Sequence, residues 1–313
     1  MTKVSRRAAL STLATVAAAA TLSPAALATA PAPRKKGFQY CLNASTIRGQ
    51  QLGIVKELEI AAKAGYDAME VWVMGVQKYV DEGGKLPELK KRIDDLGIKV
   101  VDAIGFAPWI AEDAAKRKAG LEQAKREMEM LAAIGCPRLA APPMGATDVP
   151  LLDLDQVAER FYALIEVGKG AGVMPQLEVW GFSKNLHKLS QVLYVAAECG
   201  HPDAKVLLDV YHLYRGGSDI DGLKLINGAC MDLFHMNDYP SGIDRGAIQD
   251  KDRVHTGDGI AQLKPILKTL HAANPNLILS LELFNPEYWK QDALMVAKEG
   301  LAKMKQAVAN ALQ

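Results

Sequence analysis

The chain is poor in the features that would assign a function at sight. Its 37 Lys and Arg are balanced by 36 Asp and Glu, for a formal net charge of +1 over 313 residues. Lys3, Arg6 and Arg7 lie in the first thirty residues, which hold no acid, so the remainder is slightly acidic. That excludes a polybasic protein held to nucleic acid by counter-ion release. No G-x-G-x-x-G or P-loop pattern is present, and Gly257-Asp258-Gly259 is only a fragment of one. Cys41, Cys136, Cys199 and Cys230 are scattered without a C-x-x-C pair, and read as buried thiols rather than disulfides. Beyond residue 30 no run is apolar for about 18 residues, which removes a membrane-spanning helix from the remainder. With 49% hydrophobic and 23% charged residues, the composition is far from that of a disordered chain.

The N-terminus reads as an address. Ser5-Arg6-Arg7-Ala8-Ala9-Leu10 leads into an alanine-rich, mildly apolar stretch with a small-residue site at Ala26-Leu27-Ala28. A charged start, an apolar run and a small-residue site describe a secretory signal. The paired arginines resemble a twin-arginine export signal, with Ala9 where phenylalanine is usual. Pro24 and the modest hydropathy argue against a retained membrane anchor. The expectation is a signal over residues 1–30, a single catalytic domain over 31–313, and a periplasmic or secreted protein.

Past the signal, short strand-like runs alternate with helical ones. The strands are expected at Phe38–Ala44, Ala68–Met74, Lys99–Ile104, Arg138–Ala141, Met174–Val179, Lys205–Val210, Asp232–Met236 and Leu277–Leu283. The helices between them are expected at Leu52–Ala64, Leu86–Leu96, Ala114–Ile134, Asp155–Ala171, Leu186–Cys199, Ile220–Gly228, Ile260–Ala273 and Asp292–Leu312. Gly65, Gly97, Gly135, Gly172 and Gly200 mark helix ends. Continuously apolar strands alternating with helices imply a parallel sheet covered on both faces. Eight such units predict an α/β fold of one kind, a single (β/α)8 TIM barrel.

In such a barrel chemistry sits where the strands end. Four successive strands close on Glu178, Asp209, His235 and Glu282. One acid alone is as readily a helix cap or an ion-pair partner. Three carboxylates and an imidazole carried to one desolvated mouth instead suit a divalent cation. Oxygen-rich ligation favours Mn²⁺, Mg²⁺ or Co²⁺, while the imidazole leaves Zn²⁺ and Fe²⁺ open.

Several motifs carry a resemblance. They are Cys41-Leu42-Asn43-Ala44-Ser45-Thr46, Ala64-Gly65-Tyr66-Asp67-Ala68-Met69-Glu70, Leu208-Asp209-Val210-Tyr211-His212, Phe234-His235-Met236-Asn237-Asp238, Asp252-Arg253-Val254 and Glu282-Leu283-Phe284-Asn285-Pro286-Glu287-Tyr288. Through them the chain resembles the xylose-isomerase-like barrels called sugar phosphate isomerases/epimerases, and within these the inosose (2-keto-myo-inositol) isomerases. His255-Thr256 stand where that family commonly has an aromatic and a proline, and Asn285 where inosose isomerases tend to have arginine.

The resemblance implies one divalent ion on Glu178, Asp209, His235 and Glu282, with Glu178 and Glu282 as the acid/base pair. It implies an isomerase or epimerase that moves a proton next to the carbonyl of a keto-polyol or ketose. His212 is expected as a substrate or supporting ligand. Arg253, Glu70, Trp180 and His255 are candidate substrate contacts, and Asp238 is a candidate for orienting the His235 ring. His187, His201 and His271 lie in or beside helices and read as structural. The alternative reaction is β-elimination from a 3-keto-glycoside, the work of a periplasmic lyase. A metal-dependent abasic-site endonuclease would want more ligands and a basic face. A catalytically dead sugar-binding barrel would not keep the four ligand types. No nucleic acid and no membrane partner is expected after signal cleavage, and the sequence leaves a homo-oligomer open.

Overall fold

The computed structural model describes residues 37–313. The signal expected over residues 1–30 lies outside them. Eight parallel strands close into a barrel in sequence order, with β1 bonded to both β2 and β8. In order the elements are β1 (Gln39–Asn43), α1 (Ile54–Ala64), β2 (Ala68–Trp72), α2 (Val73–Asp81), α3 (Leu86–Asp95), β3 (Lys99–Ile104), α4 (Ala114–Ala133), β4 (Arg138–Ala141) and α5 (Leu154–Ala171). The second half follows as β5 (Met174–Glu178), α6 (Leu189–Glu198), β6 (Lys205–Asp209), α7 (Val210–Arg215), β7 (Leu233–Met236), α8 (Leu263–Ala273), β8 (Ile278–Leu281), α9 (Pro286–Trp289) and α10 (Ala293–Leu312). Short 3-10 turns at Ala44–Gln50, Ile220–Leu225, Gly228–Cys230 and Asp250–Asp252 join them.

The expected barrel is therefore the observed one, with local differences. The strand expected over Ala68–Met74 ends at Trp72, because Val73 and Val76 bury one face of a helix that starts there. The helix expected over Ile220–Gly228 is a pair of 3-10 turns, each started by a side-chain cap, Asp219 or Asn227. The full helix of that unit is the short α7, which follows β6 directly. Helices α1 and α5 end as read, on Gly65 and Gly172 at φ +91° and +75°, a conformation that costs glycine nothing.

Alternation along the strands separates two cores. Leu42, Met69, Leu177, Leu208, Phe234 and Leu279 point outward and pack under the helices. Cys41, Ala68, Val101, Leu207, Leu233 and Ile278 fill the barrel interior. Full burial of the Val, Leu, Ile, Met and Phe side chains among them is worth about 1.5–3 kcal/mol each, so both layers hold the strands in register.

Two residues further along each strand the same inward face turns polar, with Asn43, Glu70, Asp209, His235 and Ser280 all buried. Register aligns Asn43 with Glu70, Asp209 with His235, and His235 with Ser280. A bulge in β3 leaves Val101 without a partner and sets Asp102 opposite Glu70. The period of two thus loads one end of the barrel with titratable groups while the other end stays apolar.

Among the described residues no helix is long and apolar enough to cross a membrane. All four cysteines are free; Cys41, Cys136 and Cys199 are buried, whereas Cys230 is only half-buried.

Candidate metal centre and active site

His235 is the hub of the site. Its Nε2 lies 2.9 Å from Glu70 Oε1. Glu70 is in turn held by Ser280 Oγ (2.6 Å) and Asn43 Nδ2 (2.8 Å), which both donate to Oε2. The other ring nitrogen, Nδ1, is buried without a hydrogen-bond partner. It faces Glu282 Oε2 at 3.3 Å, Asp209 Oδ2 at 3.8 Å and Glu178 Oε1 at 3.9 Å. Ligand atoms of Asp209, His235 and Glu282 all lie within 4.8 Å of one another.

The side chains of this cluster are set from two sides. Asp209 caps α7, its Oδ1 accepting the His212 N–H at 2.7 Å. Its Oδ2 accepts from Asn237 Nδ2 (2.9 Å) and Arg253 Nη1 (3.1 Å). Arg253 is fully buried and also donates from Nη1 to Glu282 Oε2 (2.8 Å). Its other nitrogen, Nη2, donates to Asp250 Oδ1 (2.5 Å) and lies 3.0 Å from His212 Nε2. Asp209 is thus both the helix cap and the potential ligand, one oxygen for each task.

The electrostatics follow from burial and crowding. Burial lifts Glu178 well above the usual carboxylate range; the facing His235 opposes that rise, and Glu282, Glu70 and Asp209 add to it. Burial likewise pushes Glu282 up to about 7, with His235 and Arg253 pulling the other way. Glu70 is held below its ordinary value because His235, Ser280 and Asn43 outweigh its burial. Asp102 is raised by burial and by Glu70, and accepts a hydrogen bond from Gln176 at 3.0 Å. His212 is held well below 6.5 by burial, Arg253 and His235. Both its nitrogens face N–H donors, Gly181 and Arg253, which disfavours the doubly protonated ring.

These residues fit a divalent cation. Glu178 Oε2 and His235 Nδ1 are buried, unpartnered donors within one cluster, a costly arrangement unless something binds them. Burial and crowding raise the proton affinity of Glu178 and Glu282, and a dication bound to the deprotonated carboxylates would offset that cost. The His235 ring is oriented through the nitrogen remote from the cluster, the usual support for an imidazole ligand.

Other expected site residues fall elsewhere. Glu70, expected at substrate, is sealed beneath the site and orients His235. Asp238, expected to do that, organises the seventh loop instead: Oδ1 accepts N–H groups of Tyr239 and Ala261 at 2.8 Å, and Oδ2 that of Gly257 at 3.1 Å. A Cβ on Gly259 would overlap Asp238 and Tyr239, so glycine is needed there. His255 stacks on Tyr288 (4.3 Å between centroids), and the charged groups around it are Glu299, Lys303 and Asp258 rather than the cluster. Trp180 lies at the mouth, between Phe106 and Phe182. His201 pairs with Glu166 and His271 packs on Phe38, both away from the cluster.

Sequence reading missed Asn43, Asn237 and Ser280. All three sit two residues from a ligand or in register with Glu70, and that spacing was the available signal.

A family model described as xylose isomerase-like TIM barrel matches residues 58–307. The chain belongs to this family. This xylose isomerase-like barrel is 27% identical over 272 residues to an inosose isomerase of Halalkalibacterium halodurans, covering 84% of the chain and 94% of that protein. Its fold matches the crystal structure of the IolI protein with a bound zinc atom at a TM-score of 0.80 and 22% identity, covering 88% of this chain and 99% of that one. It also matches L-ribulose 3-epimerase at a TM-score of 0.70 and 19% identity, covering 88% and 96% of the two chains.

Proposed function

We propose that the protein is a divalent-metal-dependent isomerase or epimerase of a keto-polyol or ketose, of inosose type. The observation that carries this is the convergence of Asp209, Glu282 and Glu178 on the unpartnered Nδ1 of His235. Relatives named inosose isomerase support the substrate class, and the epimerase of the same fold agrees with the reaction class.

Glu178, Asp209, His235 and Glu282 would hold one ion, with Mn²⁺, Mg²⁺, Co²⁺ and Zn²⁺ as the candidates. When bound, such an ion would draw electron density from a carbonyl oxygen and its neighbouring hydroxyl, which acidifies the C–H of the hydroxyl-bearing carbon. The protein supplies the proton traffic. Glu178, with a raised proton affinity and a buried unpartnered Oε2, suits a base that removes a proton and keeps it until its return. Glu282, placed by Arg253, is the second carboxyl of the pair. Return to the adjacent carbon, with the hydroxyl proton passing to the former carbonyl oxygen, gives an isomer, and delivery of a proton from Glu282 to the opposite face gives an epimer. Arg253 lies beside the pair with the neutral His212 ring against its Nη2, where it can donate to a substrate oxygen and fix its orientation.

Incubation with inososes in deuterium oxide tests the reading. Deuterium is expected at the carbon next to the carbonyl, with uptake lost on chelation and restored by a divalent ion. Glu178→Gln and Glu282→Gln should each slow uptake by about 10²–10⁴-fold. No uptake from any keto-polyol by the metal-loaded protein would refute it. The same proton removal followed by elimination from a 3-keto-glycoside is the second reading, and the rings of Phe106, Trp180 and Phe182 at the mouth favour it. Product mass separates them, because only elimination releases the aglycone.

A further inference from the structure

The mouth above the carboxylates is ringed by planar side chains in unbroken contact. Phe284 lies 6.1 Å from Trp72, Trp72 5.2 Å from Phe106, and Phe106 6.2 Å from Trp180, centroid to centroid. Trp180 lies 5.1 Å from Phe182, and Phe182 5.6 Å from the His212 ring. His212 meets Arg253, and the Arg253 guanidinium returns to Phe284 at 5.0 Å, which closes the circle. Every member follows or lies near the C-terminal end of a strand, on the side that carries the titratable cluster. Trp72 is tied to that cluster directly, since its Nε1 donates to Asn43 Oδ1 at 3.1 Å.

The collar is lopsided. Its polar members are His212 and Arg253, and Arg48 covers the Trp72 ring at 4.3 Å. The remaining five members are aromatic, all partly exposed, and Phe182 is the most open at 39%. A free keto-polyol carries hydroxyls around its edge and offers apolar C–H surface only on its two faces. It can stack on one or two of these rings, while hydroxyls set against the others would lose hydrogen bonds to water without replacement. Neighbouring aromatic rings with partly open faces are the surface a planar apolar group covers, by burial and stacking.

We infer that the mouth holds a planar apolar group beside the keto-polyol, so that a keto-sugar joined to such a group binds more tightly than the free sugar. The polyol lies against Arg253, His212 and the carboxylates, and the apolar group lies across Phe106, Trp180 and Phe182 toward the open side. This rests on the proposed proton-transfer reading for the position of the sugar but concerns a separate part of the mouth.

The test uses unreactive glycosides, so that binding is read without turnover. Phenyl and methyl β-glucosides are titrated into the metal-loaded full chain by tryptophan fluorescence and calorimetry. The phenyl compound should bind at least about ten-fold more tightly. Phe182→Ala and Phe106→Ala should each cut that ratio at least about three-fold, with Phe182→Leu as a volume-conserving check should an alanine variant fail to fold. Equal affinities for the two glycosides, or a ratio that survives both substitutions, overturns the inference. Deuterium uptake from free inosose is measured in parallel. Its absence would count against the proton-transfer reading alone and leave the binding ratio to decide this one.

Discussion

Glu70 and His235 stand 165 residues apart in the chain, yet Glu70 Oε1 sits 2.9 Å from His235 Nε2 in the closed interior of the barrel. That contact decides which ring nitrogen faces Glu282, Asp209 and Glu178. A ring free to rotate would present Nδ1 to the cluster only part of the time. Glu70→Ala should therefore weaken divalent-ion binding by about 10–100-fold, measured by competition with a chelating dye. Ser280→Ala removes just one donor to Glu70 and should cost less. Equal ion affinity in wild type and Glu70→Ala would show that the ring is held by other means.

How much of this is legible in the sequence depends on which contacts are local. Glu178, Asp209, His235 and Glu282 can be read because each closes an apolar strand, and a strand's period of two fixes their common direction. The role of Glu70 cannot be read that way. Its partner lies on a strand five places on in the chain, and only closure of the barrel brings them together. Asp238 invites the wrong assignment by being three residues from His235, whereas its oxygens follow the loop that returns through Gly257 and Ala261. The aromatic collar is hidden for a related reason. Its members come from separate strand ends and loops, and no spacing in the chain announces that Phe284 and Trp72 are neighbours.

Arg253 is the one Lys or Arg that is buried among the described residues, paired with Asp209, Asp250 and Glu282. Burial opposes its charge, but those three acids hold it protonated, above the ordinary range of an arginine. Arg253→Met would leave the acids facing one another in a desolvated site. Urea unfolding should show a loss of about 3–5 kcal/mol in the presence of a chelator. Saturating divalent ion should reduce the loss, because it restores positive charge at the same oxygens. A loss below about 1 kcal/mol in chelator would mean that Asp209 and Glu282 do not depend on the guanidinium.

We propose that residues 1–30 direct export, on the strength of Arg6-Arg7 and the site at Ala26-Leu27-Ala28. Expression in a bacterium with a twin-arginine pathway should yield a shortened protein in the periplasm, beginning at Thr29 by N-terminal sequencing. Arg6→Lys with Arg7→Lys should hold the full-length chain in the cytoplasm. Unshortened protein in the cytoplasm for both forms would remove the assignment.

His255 is a buried ring with no partner at either nitrogen, stacked on Tyr288 and pressed against Gly300 of α10. Burial lowers its pKa from near 6.5 to about 4; Glu299 and Asp258 oppose that shift, and Lys303 adds to it. The folded protein therefore binds this proton less readily than the unfolded chain does. The stability gained from the neutral ring is complete above about pH 6.5 and is lost as the pH falls toward 4, with the slope of one proton. The full span corresponds to about 3 kcal/mol. His255→Gln cannot titrate, so its stability should fall less than that of the wild type between pH 7 and pH 5. Unfolding free energies at several pH values for both proteins decide the matter: converging curves identify the imidazole as the titrating group, and parallel curves place it on another residue.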